Sequence, residues 1–397
     1  MKTFLFLALA LLGSAMSASG QNETIDSLRS LVKSAYTSME QKNYRKATAL
    51  FNEAIALSAR ENDTEVPPAL KRAVYGDAYY NLACIYSLSE RKSAALNALS
   101  KAIDEGGFRD YAWALKDSDL RNIQHETAFK NMIRELKEKY DYPALLKSAG
   151  KYRSDARNAD RPAFTYLSPE DPRLVHLRQT LRLDSIAGNG DEISKIKNLC
   201  LWAHNAVRHD GGSSNPPEKN ALALLQVCRE QNRGINCRMM ATLLNECYLA
   251  LGFKSRFVTC LPKDENDPDC HVVNVVWSDT MDQWIMVDPT FYAFLSDRDG
   301  RLLGIEQARK MIVEGQTVRL NPEANWNGQK KSQQDYLNYM SKNFYWFQCP
   351  QNSTYDTESQ DKRDNTRYIA LAPGDFQPWM DSDHLSRDEN YFWTRPE

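Results

Sequence analysis

Apolar and charged residues alternate with a helical period over the first third of the chain. Between residues 25 and about 140, small and large apolar residues recur among Lys, Arg and Glu, and proline occurs only at Pro67 and Pro68. Apolar positions spaced at i, i+3, i+4 and i+7 are typical of amphipathic helices. The pattern therefore predicts an all-helical region that carries no chemistry of its own.

An internal repeat lies within this helical region. The segments "NYRKATALFNEAIAL" and "ERKSAALNALSKAID" place small and large residues at matching positions, 48 residues apart: Ala47, Phe51 and Ala54 in the first, and Ala95, Leu99 and Ala102 in the second. This spacing resembles that of the tetratricopeptide repeat, whose period is about 34 residues, with the remainder inserted around Pro67. The alternative is a generic helical bundle. Either structure offers a surface for a protein partner.

A second helical pattern in the middle of the chain begins at Cys237. Apolar positions recur through Met240, Leu244 and Cys247, and Gly252 ends the helix. We expect Gly234 to reverse the chain ahead of this helix, because glycine accepts a positive φ. Cys247 lies on the apolar stripe and is expected in the core. Cys237 lies in the first turn, where unpaired N–H groups and the helix dipole favour a thiolate.

Two strands, "HVVNVVW" and "QWIMVDPT", flank the turn-like segment "SDTMD" and predict a β-hairpin. His271 begins the first strand and Asp288 ends the second. With an even-numbered loop the two residues share a face, together with Val273, Val275, Trp277, Trp284 and Met286. We expect this face to pack on the Cys237 helix through Met240 or Leu244. A nucleophile, a base and an orienting carboxylate would then converge.

A cysteine that opens a helix, a strand led by histidine and the sequence "WIMVDPT" resemble the transglutaminase-like superfamily within the papain-like fold. The resemblance covers roughly residues 165 to 310. It implies that Cys237 is the nucleophile, His271 the general base and acid, and Asp288 the residue that orients it. The resemblance does not extend to a calcium site or to a side chain that donates to the oxyanion. The Cys237 backbone N–H is the remaining candidate donor.

His204, His209 and Asp210, in "WAHNAVRHDGG", are further candidates for the lining of the cleft. For His209 the simpler interpretation is a histidine at a helix C-terminus, where the dipole favours a cation.

Composition narrows the choice of partners and cofactors. The formal net charge is −2 and there is no long basic run, so neither nucleic acid nor an anionic membrane is an expected partner. The eight cysteines contain no CxxC pair, so no metal and no other cofactor is predicted. Cys260 and Cys270 end and begin consecutive strands, and they are the expected disulfide pair.

The N-terminus has the features of a cleavable signal peptide. Lys2 precedes the apolar run from Phe4 to Leu12, which is too short to span a bilayer, and mostly small residues follow as far as Gly20. No cysteine for a lipid anchor follows the apolar run, and no later segment has the length of a membrane span. We therefore expect a secreted or periplasmic protein.

The predicted organisation is α+β. A signal peptide (1–20), tetratricopeptide-like helical repeats (21–145), a linker (146–165) and a catalytic domain (166–315) precede a C-terminal extension (316–397) packed on that domain. The extension holds four of the eight tryptophans. The expected function is acyl transfer at a peptide or carboxamide bond, with water or an amine as acceptor. The alternative is a non-catalytic scaffold that binds a partner through the helical repeats and keeps a vestigial cleft.

Overall fold

The computed structural model describes residues 23–60, 66–153, 161–267, 269–359, 362 and 365–397. The predicted signal peptide lies outside the described residues. The chain divides into two compact units, residues 1–141 and 142–397. Among the described residues, none of the helices combines the length and the apolar character needed to cross a bilayer.

The first unit is helical throughout the part that the structure describes. Its elements are α1 (Glu23–Glu40), α2 (Tyr44–Arg60), α3 (Pro68–Leu88), α4 (Lys92–Asp104), α5 (Tyr111–Lys116), a short 3-10 turn (Ser118–Leu120) and α6 (Thr127–Tyr140). Consecutive helices pack in pairs, α1 with α2 and α3 with α4. The six small and large residues of the internal repeat are all fully buried, so the repeat positions form the contacts between paired helices.

The second unit begins with helices. They are α7 (Tyr142–Ser148), α8 (Pro172–Leu181), α9 (Leu183–Ala187), α10 (Glu192–Ala206), α11 (Ala221–Glu230) and α12 (Cys237–Ala250), with the short strand β1 (Thr165–Tyr166) between α7 and α8. Helix α7 forms where the sequence predicted the end of the repeats and the start of a linker. Leu146 on this helix is buried in the core of the second unit, and this burial stabilises the helix. The turn-forming residues nearby had instead led to the prediction of a linker.

A six-stranded sheet forms the centre of the second unit, with the strand order β12-β11-β9-β2-β3-β4. Its members are β2 (Ser255–Leu261), β3 (His271–Ser278), β4 (Gln283–Val287), β9 (Trp346–Pro350), β11 (Tyr368–Leu371) and β12 (His384–Ser386). All neighbouring strands are antiparallel except β11 and β12. Half of the sheet thus comes from residues beyond 315, which complete the domain core.

The remaining elements surround this sheet. They are β5 (Leu295–Ser296), α13 (Ile305–Val313), β6 (Arg319–Leu320), β7 (Asn325–Trp326), β8 (Gln329–Lys330), α14 (Gln333–Asn343), β10 (Asn352–Ser353) and α15 (Glu389–Phe392). The short strands pair as β1 with β10, β5 with β6, and β7 with β8.

The hairpin β3–β4 has the predicted parity. Trp277 pairs with Trp284 and Val275 with Met286 across a four-residue loop, Asp279 to Asp282. However, the prediction of which face meets the Cys237 helix is wrong. The face with Val275 and Met286 packs against α13 and α14. The opposite face, with Val276, Ile285 and Val287, packs on α12 through Met240 and Leu244. Both faces are apolar, so the pattern carried no information on this choice.

The disulfide prediction is also wrong, since all eight cysteines are free. Cys260 pairs with His271 across the β2–β3 ladder. Residues directly opposite in an antiparallel ladder share a face, whereas Cys270, one position earlier, begins on the other face. The side chains of Cys260 and Cys270 therefore diverge.

Gly234 also differs from the expectation, because it is not among the described glycines with a positive φ. It instead permits a close approach of two segments. A Cβ atom at this position would lie 2.6 Å from the carbonyl oxygen of Arg208 and 2.7 Å from the Cβ of Asp210. Gly252 has φ 85° and follows the end of α12, as predicted.

Candidate active site

Cys237 is the first residue of α12. Asn236 caps this helix, with its side chain accepting a 3.1 Å hydrogen bond from the Met239 N–H. The Cys237 side chain is partly exposed, whereas Cys247, three turns further along the helix, is fully buried. The two thiols thus occupy the surroundings that the apolar stripe predicted.

His271 and Asp288 meet at one end of the β3–β4 hairpin. His271 Nε2 lies 2.7 Å from Asp288 Oδ2, and both side chains are almost completely buried. The other carboxylate oxygen, Oδ1, accepts hydrogen bonds from the backbone N–H groups of Thr290 and Phe291. The turn that follows β4 therefore holds the carboxylate in position independently of its contact with the imidazole.

Aromatic residues surround this pair. The rings of Phe291 and Tyr339 lie 5.6 Å and 5.3 Å from the His271 ring, and Tyr336 donates a 2.8 Å hydrogen bond to Asp288 Oδ2. Tyr336 and Tyr339 lie on α14, in the C-terminal extension. Sequence reasoning missed their role, because nothing local to α14 indicates contact with residues about 50 positions earlier.

His204 holds the turn that follows Asp288. It is buried, and its two ring nitrogens lie 2.9 Å from the Pro289 carbonyl oxygen and 3.0 Å from Asn325 Oδ1. It therefore connects the turn after Asp288 to strand β7, a structural role. Asp210 bridges backbone segments, with its N–H donating to the Ile235 carbonyl oxygen.

His209 does not end a helix, so that interpretation was wrong: α10 ends at Ala206. His209 instead forms a parallel β-bridge with Ile235, two residues before Cys237, and its side chain is one of the groups that lower the pKa of the Cys237 thiol. Trp326 donates a 2.9 Å hydrogen bond from its indole to His209 Nδ1. The Asn327–Gly328 pair between β7 and β8 is a strong hairpin signal and would have revealed the hairpin that carries Trp326.

Residues 179–289 match the family model of the transglutaminase-like superfamily. The second unit therefore contains a transglutaminase-like domain. Cys237, His271 and Asp288 all lie in the matched range. At the level of this family, the match indicates a cysteine-dependent enzyme.

Among solved structures, the chain is similar to one from Cytophaga hutchinsonii described as "a putative cysteine protease". The two share 20% identity with a TM-score of 0.24, over 37% of this chain and 48% of the other. The chain thus spans about half the length of that protein. No curated protein matches the chain.

The electrostatics of the transglutaminase-like domain favour an ion pair at its centre. Burial alone would raise the pKa of the Cys237 thiol, but hydrogen bonds from His209 and His271, the charge on His271 and the Val272 N–H lower it to about 6. Burial would lower the pKa of His271, but the Asp288 carboxylate and the Cys237 sulfur raise it to about 10. At neutral pH the pair is a thiolate beside an imidazolium.

The buried thiols elsewhere in the protein have raised pKa values, in contrast to Cys237. Burial raises the pKa of Cys247, Cys200 and Cys260 well above the usual value. Within the described residues, no group of three or more His, Cys, Asp or Glu side chains has the arrangement of a metal site. The site therefore has the charge distribution of an activated cysteine nucleophile.

Proposed function

We propose that the protein is an exported cysteine-dependent enzyme that transfers acyl groups from peptide or carboxamide bonds, with Cys237, His271 and Asp288 as its catalytic triad. One observation carries the proposal: a partly exposed, low-pKa cysteine at a helix N-terminus contacts a histidine whose other nitrogen is held by a buried carboxylate. A nucleophile, a base and an orienting group arranged in this order are the components of covalent acyl transfer.

The hydrogen bonds assign the role of each ring nitrogen. Because Nε2 of His271 donates to Asp288, Nδ1 is the nitrogen available to Cys237. The thiolate attacks the carbonyl carbon, a C–S bond forms and the carbonyl π electrons move to oxygen. As this intermediate collapses, the C–N bond breaks and the imidazolium gives its proton to the leaving amine. A thioester on Cys237 remains.

The acceptor then decides the reaction. Water, deprotonated by His271, hydrolyses the thioester and makes the protein a peptidase or amidase, whereas a primary amine makes it a transglutaminase. Export is supported by the sequence of the first 20 residues, which gives exported proteins or peptides as the substrate class. The paired helices of the first unit are the proposed surface for a protein partner.

A peptide library with and without an added primary amine tests the proposal. Product masses separate hydrolysis, which adds water, from transfer, which adds the amine. Cys237→Ala should lose all activity. If wild type and Cys237→Ala leave every peptide unchanged, and iodoacetamide finds no fast-reacting thiol, the protein is the non-catalytic scaffold.

A further inference from the structure

Two histidines lie beside Cys237 and lower the pKa of its thiol: His209, placed by its bridge to Ile235, and His271, at the start of β3. Each ring has one nitrogen with a known partner, and the two partners are of opposite kinds. His271 Nε2 faces a carboxylate, which can only accept, so Nδ1 is the nitrogen that takes and returns the thiol proton. His209 Nδ1 accepts from the indole N–H of Trp326 at 2.9 Å, and an indole N–H can only donate. The single proton of a neutral His209 ring is therefore on Nε2.

We propose that Trp326 holds His209 in the tautomer protonated at Nε2, so that His209 donates a hydrogen bond to the reacting sulfur of Cys237 and does not compete with His271 as a base. The inference rests on the proposed function and extends it. In these terms His209 is a catalytic residue, Trp326 is a positioning residue, and the hairpin β7–β8 of the C-terminal extension is a part of the active site.

The backbone supports this placement from two sides. The Ile235 N–H donates to the Arg208 carbonyl oxygen at 3.0 Å, which joins the His209 segment to the start of α12. The side chain of Asn327 makes a reciprocal pair with the His209 backbone, accepting from its N–H and donating to its carbonyl oxygen, both at 2.9 Å. The backbone and ring of His209 are thus fixed independently of the thiol.

The segment that carries His209 and the start of α12 lie close together because residue 234 is a glycine. Any side chain there would collide with the Arg208 carbonyl oxygen, and the segment that carries His209 would move away from Cys237. Three separate features therefore converge on one arrangement: a glycine contact, an amide clamp and an indole donor.

A fixed donor at the sulfur has a consequence during the reaction. When the C–S bond forms, the negative charge moves from sulfur to the carbonyl oxygen, which is bonded to the same carbon. The Nε2–H of His209 and the Cys237 backbone N–H are then the two donors for that oxygen, and His209 keeps its proton throughout. Removing one such donor typically lowers kcat by about 10²–10³.

Four variants test the assignment. His209→Ala removes the donor, His209→Gln restores an N–H near the position of Nε2, and Trp326→Phe keeps a ring but removes the indole N–H. Trp379→Phe is the matched control, since Trp379 donates to the Pro262 carbonyl oxygen. Each variant is assayed for kcat, for KM and for the pH midpoint of iodoacetamide alkylation, with thermal melting to confirm folding.

We expect His209→Ala to raise the alkylation midpoint and to lower kcat by about 10²-fold, with a smaller change in KM. His209→Gln should recover part of both losses. Trp326→Phe should change both quantities in the same direction as His209→Ala, and Trp379→Phe should change neither. Nitrogen-15 NMR of labelled histidine should show His209 with its proton on Nε2.

Several results would overturn the inference. These are a His209 proton on Nδ1, a midpoint and kcat in His209→Ala equal to those of the Trp379→Phe control, or no recovery with His209→Gln. If Trp326→Phe fails to fold, the comparison of His209→Ala with His209→Gln and the NMR result still decide. The absence of any fast-reacting thiol in the wild type would instead contradict the proposed function itself.

Discussion

Tyr336 donates a 2.8 Å hydrogen bond to Oδ2 of Asp288, the same oxygen that contacts His271. Both side chains are fully buried. The hydroxyl therefore helps to fix the carboxylate oxygen that orients the imidazole, and the donor comes from the C-terminal extension.

Tyr336→Phe should weaken activity without removing it. The ring remains to pack against Phe291, but the carboxylate loses a donor in a site that excludes water. A hydrogen bond to a charged group contributes about 1.5–3 kcal/mol, so we expect a fall in kcat of about tenfold and a lower melting temperature. Steady-state kinetics and thermal unfolding measure the two effects. An unchanged kcat would show that Asp288 is held by its backbone donors alone.

The activity should follow a bell-shaped pH profile. Activity appears as pH rises through about 6, where the Cys237 thiolate forms, because His209 and His271 lower the pKa of that thiol. It is lost as pH rises through about 10, where the His271 imidazolium, whose pKa Asp288 raises, gives up its proton. The two limbs belong to the coupled pair. The pH dependence of kcat/KM provides the measurement, and an acidic limb near the ordinary thiol pKa would contradict the ion pair.

Cys237→Ala and Cys247→Ser should have opposite effects. The first removes a partly exposed side chain at a helix start and should abolish activity while leaving thermal stability nearly unchanged. The second places a hydroxyl in a fully buried apolar environment, at a cost of about 1–3 kcal/mol. Activity assays and urea unfolding of both variants make the comparison. A strongly destabilised but active Cys237→Ala would show that Cys237 is a core residue and is not the reactive thiol.

The sequence indicated the elements of this site better than their surroundings. The apolar stripe through Met240, Leu244 and Cys247 placed Cys237 in the first turn of α12, and alternation gave the parity that puts His271 and Asp288 on one face of the hairpin. Those signals are local. The face of the sheet that meets α12 was not predictable, because Val275 and Val276 are equally apolar.

The C-terminal half of the sheet was missed for a related reason. Strand β9 pairs with β2, which lies about 90 residues earlier, and β11 and β12 have only four and three residues. Short strands with distant partners leave little periodicity to read. His209 was misjudged because a single β-bridge to Ile235, and not a helix, determines its position.

Arg256 is a buried cation that connects strand β2 to the end of the chain. Its guanidinium lies 4.1 Å from the ring centre of Phe164 and 4.9 Å from that of Trp284, and it donates to the Phe392 carbonyl oxygen. Within the described residues, none of the ion pairs involves Arg256. Aromatic faces, the Phe392 carbonyl oxygen and the Cys349 sulfur therefore surround this charge in place of water.

We expect Arg256→Lys to destabilise the second unit, because an ammonium cannot stack on the rings or match the planar donor geometry of a guanidinium. The ammonium keeps part of the cation–π attraction, but it loses the planar stacking and the donor to the Phe392 carbonyl oxygen. A hydrogen bond from a charged group contributes about 1.5–3 kcal/mol, so the free energy of unfolding should fall by about 2 kcal/mol. Arg395→Lys is the matched control. Arg395 also lies over a tryptophan, Trp277 at 5.6 Å, but its side chain is 67% exposed, and its replacement should change the stability little. Urea unfolding followed by tryptophan fluorescence measures both variants, and equal stabilities would mean that the rings around Arg256 contribute packing alone.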